Sequence, residues 1–462
     1  MRALLGVLLL AGSSMAADRP NVIVILADDL GVNDLGCYGR ADHATPHLDR
    51  LAKQGTRYTA AYASCPVCSP TRAAFLTGMN PARLHITTFL PGRADAPSQK
   101  LLHPKIANQL PPKMPTLPGT LKTAGYATGV FGKWHVGGNP KDAGFDTVYA
   151  GKANHAPTTP AGGKGEYDLT DQAITFVKAN RDRPFFVYLA HNTPHIPLAA
   201  SPELVTKFKD SFNPLYAATI ASMDESVGKL LGALDEMKLT GTTYVLFTSD
   251  NGGLHVPELK DDAPTHNTPF RAGKGFVYEG GIRVPAILRG PGVPAGATDD
   301  RPFQTADWCP TILGWCGAKL PGLDGVTLGT GPADRPLFWH VPHYTNQGSR
   351  PAGAVRQGKW KLIEHYEDQS RELYDLIADP GETKNRINDE PVIAARLGAM
   401  LMEWRTQVGA QENRVNPTFN PAPHQKLYIE VDVSRLTPKA TAAETSKPLA
   451  SWRQLMDSIV KP

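Results

Sequence analysis

The chain has 462 residues, 41% of them hydrophobic, so it can bury a large core and hold a second, smaller domain. Its formal net charge of +4 is small and no basic run stands out, which argues against nucleic-acid binding. The 43 glycines and 41 prolines are spread along the chain, as in a loop-rich globular enzyme and unlike a low-complexity protein.

Residues 1–16 are predicted to form a signal peptide. Arg2 provides the positive charge, residues 3–11 are apolar, and Ser14-Met15-Ala16 offers a small-x-small cleavage site. The apolar run is too short to span a bilayer, and no later segment is long enough. A short core helix or strand is the alternative interpretation. We therefore expect an exported protein, periplasmic or secreted, without a membrane span.

Apolar runs then alternate with amphipathic segments. The pattern predicts buried strands over 21–29, 126–134, 184–190, 242–250 and 284–290, and helices over 43–55, 169–179 and 215–239. Strands that alternate with helices favour a mostly parallel sheet covered on both faces. Ligands of such sheets bind beyond the carboxyl ends of the strands.

The segment "PVCSPTRAAFLTG" places Cys68 directly before a predicted helix. Ser69 can cap this helix, Pro70 suits its first position, and Gly78 can end it. Backbone N–H groups and the positive helix end favour a thiolate or another anion at Cys68. The position suits a nucleophile, half of a redox pair, a metal ligand, a disulfide partner or the precursor of another group.

Five cysteines are a poor disulfide framework for a chain of this length. Two helical turns would separate Cys309 from Cys316 by roughly 10 Å, too far for a bond unless the helix breaks. Cys37 and Cys65 could pair, and their spacing leaves this open. No histidine–cysteine spacing indicates zinc.

Four polar clusters follow predicted strands, which places them at one edge of the sheet. They are Asp28-Asp29, Lys133-Trp134-His135, residues 191–195 and Asp250-Asn251. Two adjacent carboxylates repel unless a cation or protons intervene. The first and last clusters together offer four hard oxygen donors, which suit Ca²⁺ or Mg²⁺. A helix cap beside a solvated loop aspartate is the alternative for the first pair.

Alternation along an extended chain places Lys133 and His135 on one side, with Trp134 packed on the other. A lysine supplies charge for an oxyanion, and a histidine exchanges a proton near neutral pH. His195 lies between two prolines in "HNTPHIPL", with His191 as a competing, structural histidine. A surface lysine and a core histidine are the alternative for Lys133 and His135, and a merely rigid loop is the alternative for the segment that holds His195.

The segment "FRAGKGFVYEGGIRVP" holds a further candidate, Lys274, between two glycines that allow the backbone to approach a ligand closely. A solvated loop lysine is the alternative. Glu279 and Arg283 in the same segment are interpreted as a structural ion pair.

The pattern changes after about residue 335, where short antiparallel strands are predicted with a turn around 367–370. A helix over 391–407 follows. We interpret 336–435 as a smaller α+β subdomain and 436–462 as a tail, loosely packed until "SWRQLMDSIV" docks as a helix.

Cys68-Ser69-Pro70-Thr71-Arg72 matches the C-x-P-x-R motif of type I sulfatases, in which an enzyme oxidises the cysteine to formylglycine. "NVIVILADD", "GKWHVG", "NTPHIP", "TSDNGG" and "GKGFVYEGGIRVP" resemble that family's other motifs, in its order, from about Arg19 to Asp389. The chain thus resembles formylglycine-dependent arylsulfatases and polysaccharide sulfatases of the alkaline phosphatase superfamily. The resemblance implies an α/β sandwich with a central mostly parallel sheet flanked by helices over 17–335. It also implies a smaller C-terminal α+β subdomain with a short antiparallel sheet.

The resemblance implies a sulfuric ester hydrolase with one Ca²⁺ held by Asp28, Asp29, formylglycine 68 (encoded as Cys68), Asp250 and Asn251. A hydrate of the formylglycine would attack sulfur, and a formylglycine-generating maturase would be a partner. The implied roles are orientation of the hydrate by Arg72, sulfate binding by Lys133 and Lys274, protonation of the leaving alcohol by His195 with Lys274, and proton removal by His135.

A sulfated saccharide is the expected substrate, with galactose or N-acetylgalactosamine as the sugar. "LFWHVPHY" (337–344) and His266-Asn267 are candidates for sugar contacts or for packing. One alternative function is a phosphonate or phosphate monoester hydrolase of the same superfamily. Others are a non-catalytic glycan-binding protein with an unconverted Cys68, and a dithiol oxidoreductase built on Cys65-Pro66-Val67-Cys68.

Overall fold

The computed structural model describes residues 19–151 and 163–459. The predicted signal peptide over 1–16 lies outside the described residues. The strands are β1 (Asn21–Asp28), β2 (Thr56–Tyr58), β3 (Ala61–Tyr62), β4 (Leu101–Leu102), β5 (Ala127–Gly132), β6 (Thr147–Tyr149), β7 (Phe185–Pro194), β8 (Thr243–Ser249), β9 (Ala286–Arg289), β10 (Ala297–Asp299), β11 (Phe303–Gln304), β12 (Leu337–Val341), β13 (Ala352–Gln357), β14 (Trp360–His365), β15 (Arg371–Asp375) and β16 (Arg414–Val415).

The helices include long amphipathic segments and single turns. They are α1 (Pro46–Gln54), α2 (Cys68–Thr77), α3 (Pro81–Leu84), α4 (Leu117–Thr123), α5 (Glu166–Ala179), α6 (Pro202–Lys207), α7 (Pro214–Glu236), α8 (Glu279–Ile282), α9 (Trp308–Trp315), α10 (Pro391–Gln407), α11 (Pro421–His424), α12 (Ala442–Ser446) and α13 (Ala450–Ile459). None of these helices combines the length and the apolar character that a membrane span requires.

An eight-stranded sheet forms the centre of the larger part, in the order β10-β2-β9-β8-β1-β7-β5-β6. Strands β8, β1, β7, β5 and β6 are mutually parallel. Strand β9 pairs antiparallel with both neighbours, β8 and β2. The mostly parallel α/β architecture is therefore confirmed, with one opposing strand that the sequence pattern did not distinguish.

Both faces of this sheet are buried, which explains its continuous apolar strands. Alternate residues of β1 contribute to two separate cores: Val22, Val24 and Leu26 to one, Ile23, Ile25 and Ala27 to the other. Helices α2 and α9 cover the first face, and α5 and α7 cover the second. The sheet edge is therefore where polar side chains can gather.

Helix α2 begins at Cys68 itself, with Val67 as the residue before it. The prediction that Ser69 caps the helix is wrong, because the Ser69 Oγ accepts a hydrogen bond from the Leu90 backbone at 3.0 Å. Gly78 ends the helix with a φ of 66°, as predicted. The cysteine is thus held within the first helical turn.

The C-terminal part contains the antiparallel sheet β12-β13-β14-β15, and α10 packs on one of its faces. Its opposite face packs against the larger part and against Trp452 and Met456 of α13. The expectation of a loosely packed tail is wrong, because the Ala442 backbone donates to Phe212 O at 2.8 Å and Leu449 is 4% exposed. All five cysteines lie in the described ranges, and all are free thiols.

Candidate active site

The sequence-predicted clusters converge beyond the carboxyl ends of four adjacent strands, β8, β1, β7 and β5. Each strand delivers polar side chains where its hydrogen-bonded ladder stops, and the first turn of α2 brings Cys68 and Arg72 to the same place. Most of these side chains are buried, and they pair with one another and with nearby backbone groups.

Asp28 receives cations from two directions. The Lys133 Nζ donates to both of its carboxylate oxygens, at 2.9 and 2.7 Å, and an Arg72 nitrogen lies 3.5 Å away. Burial would raise the pKa of Asp28, but the ammonium of Lys133 and the other nearby cations hold it well below its usual value. Asp28 is therefore an ionised carboxylate at the end of β1.

Asp29 follows with a left-handed backbone, φ 65°, which turns its side chain away from the strand direction. Its Oδ2 accepts from the Lys274 Nζ at 2.7 Å, and its Oδ1 accepts from the Asn251 amide at 2.8 Å. Its backbone N–H donates to the Asp250 Oδ1 at 3.2 Å. These contacts join the ends of β1 and β8 and the Lys274 loop.

Arg72 ties Asp250 to α2. Its Nε donates to the Asp250 Oδ2 at 2.8 Å, and its Nη1 donates to Lys133 O at 2.8 Å. Burial raises the pKa of Asp250 from 3.8 to about 7, although Arg72 opposes the shift. One helical turn separates Arg72 from Cys68, so both reach the same space, as predicted.

The Cys68 Sγ lies 3.2 Å from the His135 Nδ1, and the His135 Nε2 lies 2.8 Å from Leu90 O. Burial would raise the pKa of the Cys68 thiol, but Lys133 and His135 outweigh it and lower the pKa from 9.0 to about 6. Lys133 and His135 do face the same site. The expected extended alternation is nevertheless wrong, because β5 ends at Gly132 and His135 has a φ of 49°.

His195 is tied to Lys274. Its Nε2 lies 3.0 Å from the Lys274 Nζ and 3.5 Å from the Asp29 Oδ2, and its Nδ1 lies 2.5 Å from Ile196 O. Burial, and then the charge of Lys274, lower the pKa of His195 from 6.5 to about 3. A neutral ring with its proton on Nδ1 fits these contacts, since Nε2 then accepts from the ammonium.

The residues present fit a hard divalent cation. Ligand atoms of Asp28, Cys68 and Asp250 lie within 4.8 Å of one another, as do those of Asp28, Asp29 and His195. The Asn251 Oδ1 is buried without a hydrogen-bond partner among the described residues, although its amide nitrogen is fully engaged. Three carboxylates with a spare amide oxygen are the donor set that Ca²⁺ prefers.

Sequence reasoning missed Lys164, which is 1% exposed and whose Nζ donates to Asn192 O at 3.0 Å and to His195 O. A signal for Lys164 existed, because it lies in a Gly-Lys-Gly tripeptide like that of Lys274.

Other sequence candidates have structural contacts. His191 is fully buried, and its ring has no hydrogen-bond partner among the described residues. Arg283 lies 3.4 Å from Glu279, as the interpreted ion pair requires. In the candidate sugar-contact segments, the Asn267 amide donates to Gly253 O and Ala272 O, and His340 contacts Tyr366 and Gln411 O. Packing is the better interpretation of these two residues.

Comparisons with known proteins match most of the chain. A family model described as "Sulfatase" matches residues 20–318, and one described as "N-sulphoglucosamine sulphohydrolase, C-terminal" matches residues 272–407. Arylsulfatase A of Homo sapiens is 32% identical over 81% of this chain and 80% of its own length. N-acetylgalactosamine-6-sulfatase of Sus scrofa is 33% identical over 71% of this chain and 70% of its own length.

A solved structure extends the likeness to three dimensions. The crystal structure of Ps i-CgsB in complex with k-i-k-neocarrahexaose superposes with a TM-score of 0.72 and 26% identity. The match covers 95% of this chain and 100% of that one. The central sheet and the C-terminal antiparallel sheet are thus both features that known proteins share.

Proposed function

This chain belongs to the sulfatase family and is a sulfuric ester hydrolase, and on that premise we propose that it removes sulfate from a sulfated carbohydrate. One observation carries the proposal: Cys68, two lysines, two histidines and a set of oxygen donors converge at one sheet edge. A relative named for N-acetylgalactosamine 6-sulfate and a neighbour bound to a neocarrahexaose support a saccharide substrate, with sulfated N-acetylgalactosamine or galactose as the sugar.

Sulfatases generally use Ca²⁺ and formylglycine, and we assign both to this chain. The proposed ligands are Asp28, Asp29, Asp250, Asn251 and residue 68. When bound, the ion supplies electrostatic stabilisation of negatively charged oxygen atoms in a site that excludes water. Lys133 and Lys274, which contact Asp28 and Asp29 here, also lie where they can hold the sulfate oxygens.

In the first half of the reaction, the hydrate of formylglycine at residue 68 is the nucleophile. Arg72 lies one helical turn away and fixes the Asp250 carboxylate, so it orients the group at residue 68. One hydroxyl of the hydrate would attack sulfur and pass its proton to the Asp250 carboxylate, which has an oxygen within 4.8 Å of Sγ of residue 68. The ester S–O bond would break, and the alcohol would leave with a proton of its own. The proton comes from the His195–Lys274 pair, whose nitrogens lie 3.0 Å apart.

The second half of the reaction releases sulfate. The His135 Nδ1 lies 3.2 Å from Sγ of residue 68, so it can take the proton of the remaining hydroxyl. The oxygen of that hydroxyl then forms the aldehyde carbonyl as the C–O bond to sulfate breaks and sulfate leaves with the bonding pair. The aldehyde is thereby regenerated without hydrolysis of a stable sulfate ester. Export before activity and conversion by a maturase belong to the same proposal.

Two measurements test this function. Sulfate, phosphate and phosphonate esters of one phenol are compared side by side, and the sulfate ester is expected to give the highest kcat/KM. Mass spectrometry of the peptide that carries Cys68 is expected to show a mass lower by roughly 18 Da, from conversion of CH₂SH to CHO. Preference for the phosphonate ester, or an unconverted thiol in active enzyme, contradicts the proposal. Defined sulfated mono- and disaccharides then identify the sugar.

A further inference from the structure

Lys164 is a buried cation that the mechanism above does not use. Lys164 stands two residues before α5. Its Nζ lies between two backbone carbonyl oxygens, Asn192 O at 3.0 Å and His195 O. The first carbonyl lies near the end of β7, and the second lies in the turn that follows β7 and presents His195. Among the described residues, the Lys164 Nζ donates to these two carbonyls and has no carboxylate within salt-bridge distance, so its contacts support the backbone that it touches.

That turn is poor in hydrogen-bond donors of its own. Pro194 and Pro197 have no backbone N–H, so the usual bonds that close a turn are not available on either side of His195. A buried carbonyl that is left without a donor destabilises the fold. Lys164 supplies donors to two carbonyls at once and thereby selects one backbone geometry for the turn.

The local sequence explains how Lys164 reaches this position. Gly163 and Gly165 have left-handed φ values of 94° and 88°, and a Cβ at Gly163 would lie 2.4 Å from the Glu166 Oε1. The Lys164 N–H donates to the Glu166 Oε2. The two glycines therefore let the chain fold tightly over the start of α5 and direct the lysine inwards.

The orientation of the His195 ring depends on the backbone of this turn. Its Nδ1 contacts Ile196 O of the same turn, and its Nε2 reaches the Lys274 Nζ at 3.0 Å. If the turn shifts, the ring shifts with it, while Lys133 and Lys274 remain on other elements. The sulfate-binding lysines are thus independent of Lys164, whereas His195 is not.

We propose that Lys164 is a positioning residue, which holds the turn of His195 so that Nε2 faces the oxygen of the departing alcohol. The inference rests on the proposed function, because it assigns a purpose to the orientation of His195. It predicts a specific kinetic defect: loss of Lys164 affects departure of the alcohol and leaves sulfate binding unchanged.

Lys164→Met is compared with wild type on an activated nitrophenyl sulfate and on a sugar sulfate with a poor leaving group. We expect kcat on the sugar sulfate to fall about 10–100-fold, since small misplacements cost that much, with KM nearly unchanged. The nitrophenyl sulfate needs little protonation and is expected to lose less than threefold. Lys164→Arg retains donors and is expected to recover part of the rate. Lys178→Met, an exposed lysine of α5, is the matched control and is expected to match wild type.

A double-mutant cycle with His195→Ala separates positioning from general damage. In the His195→Ala background, Lys164→Met is expected to cause no further loss on the sugar sulfate. Equal loss on both substrates, additive losses in the cycle, or no loss at all overturns the inference. If Lys164→Met does not fold, Lys164→Gln is measured in its place. An enzyme that prefers phosphate esters overturns the proposed function instead, and the same cycle on phosphate esters still decides the role of Lys164.

Discussion

The described residues include two clusters of fully buried charges that differ in kind, and only one of them has the properties of an active site. The first is the active-site cluster at the end of the parallel strands. The second, the Lys361 cluster, comprises Lys361 of β14, Glu279 of α8, Arg283 directly after α8, and Glu382. Lys361, Glu279 and Glu382 are fully buried. Each cluster joins parts of the chain that are distant in sequence.

The difference lies in what remains after the charges have paired. The Lys361 Nζ lies 3.0 Å from Glu279 and 2.9 Å from Glu382, and Glu279 also accepts from the Tyr62 hydroxyl at 2.7 Å. The active-site cluster adds a thiol, two histidines and the unpartnered Asn251 Oδ1. Buried, paired charges alone therefore indicate a structural contact. A buried oxygen without a hydrogen-bond partner, close to a nucleophile, indicates an active site.

The largest expected effect belongs to Cys68. Cys68→Ala removes the residue that becomes the nucleophile, so kcat on nitrophenyl sulfate is expected to fall about 10³-fold or more. Cys65→Ala, which alters a buried thiol three residues earlier, is the control and is expected to retain activity. If the two variants are equally inactive, the site is a dithiol and the proposed function is wrong.

His195→Ala tests the general acid. Because the alcohol then leaves without a proton, turnover of a sugar sulfate is expected to fall about 10²–10⁴-fold. An activated phenol sulfate is expected to lose much less, as measured by kcat on both substrates. His191→Gln, at a buried histidine four residues earlier, is expected to affect the two substrates equally. An equal loss in His195→Ala would reject the assigned role.

Lys361→Met tests the second cluster. It leaves the buried Glu382 without its cation and Glu279 with Arg283 alone, so the free energy of unfolding is expected to fall by about 3–5 kcal/mol. The kcat/KM of the folded enzyme on nitrophenyl sulfate is expected to stay near wild type. Lys359→Met, which breaks an exposed ion pair with Asp375, serves as the control. A kinetic defect as specific as that of His195→Ala would remove the distinction between the clusters.

Removal of the metal tests the first cluster by stability. A chelator is expected to abolish turnover and to lower Tm, and added Ca²⁺ to restore both, since saturation at 100 times Kd stabilises by about 2.7 kcal/mol. Asn251→Ala is expected to abolish the Tm response to Ca²⁺, whereas Lys361→Met is expected to retain it. A response that survives in Asn251→Ala would place the ion elsewhere.

The smallest expected effect is a change in pH dependence. Burial raises the pKa of Glu382 from 4.5 to about 7, so the folded state keeps a proton that the unfolded state has lost. Glu382 therefore makes the protein less stable as pH rises from about 4.5 to about 7. Glu382→Gln is expected to remove this contribution, which is measured as a smaller fall in Tm between pH 5 and pH 7. An unchanged fall contradicts the assignment.

The sequence predicted much of the fold because buried parallel strands have continuous apolar runs and their helices have a clear period. Helix α10 has the predicted bounds, and the turn around 367–370 joins β14 to β15. The site could also be predicted from the sequence, because most of its residues follow strands at the same end of the parallel sheet. The direction of β9 could not be predicted, since an apolar run does not indicate which strand it pairs with or in which direction.

Local sequence rules failed where a distant segment competes for the same group. Ser69 has the residue type of a helix cap, but its hydroxyl oxygen accepts a hydrogen bond from the Leu90 backbone N–H instead. The tail after residue 436 has a polar composition, but its backbone and side chains find partners in the larger part. The Ala442 N–H donates to Phe212 O, and the Ser446 Oγ accepts from the Ala263 N–H. These outcomes depend on contacts between residues more than a dozen positions apart.

The sequence by itself determined the family, the residue types and their placement at strand ends, because each depends on motifs and on short periodicities. Only the tertiary structure decided that Lys164 faces the turn of His195, that His135 turns back to Cys68, and that Asn251 has a spare oxygen. These are distances between elements that meet only when the sheet and its covering helices are packed.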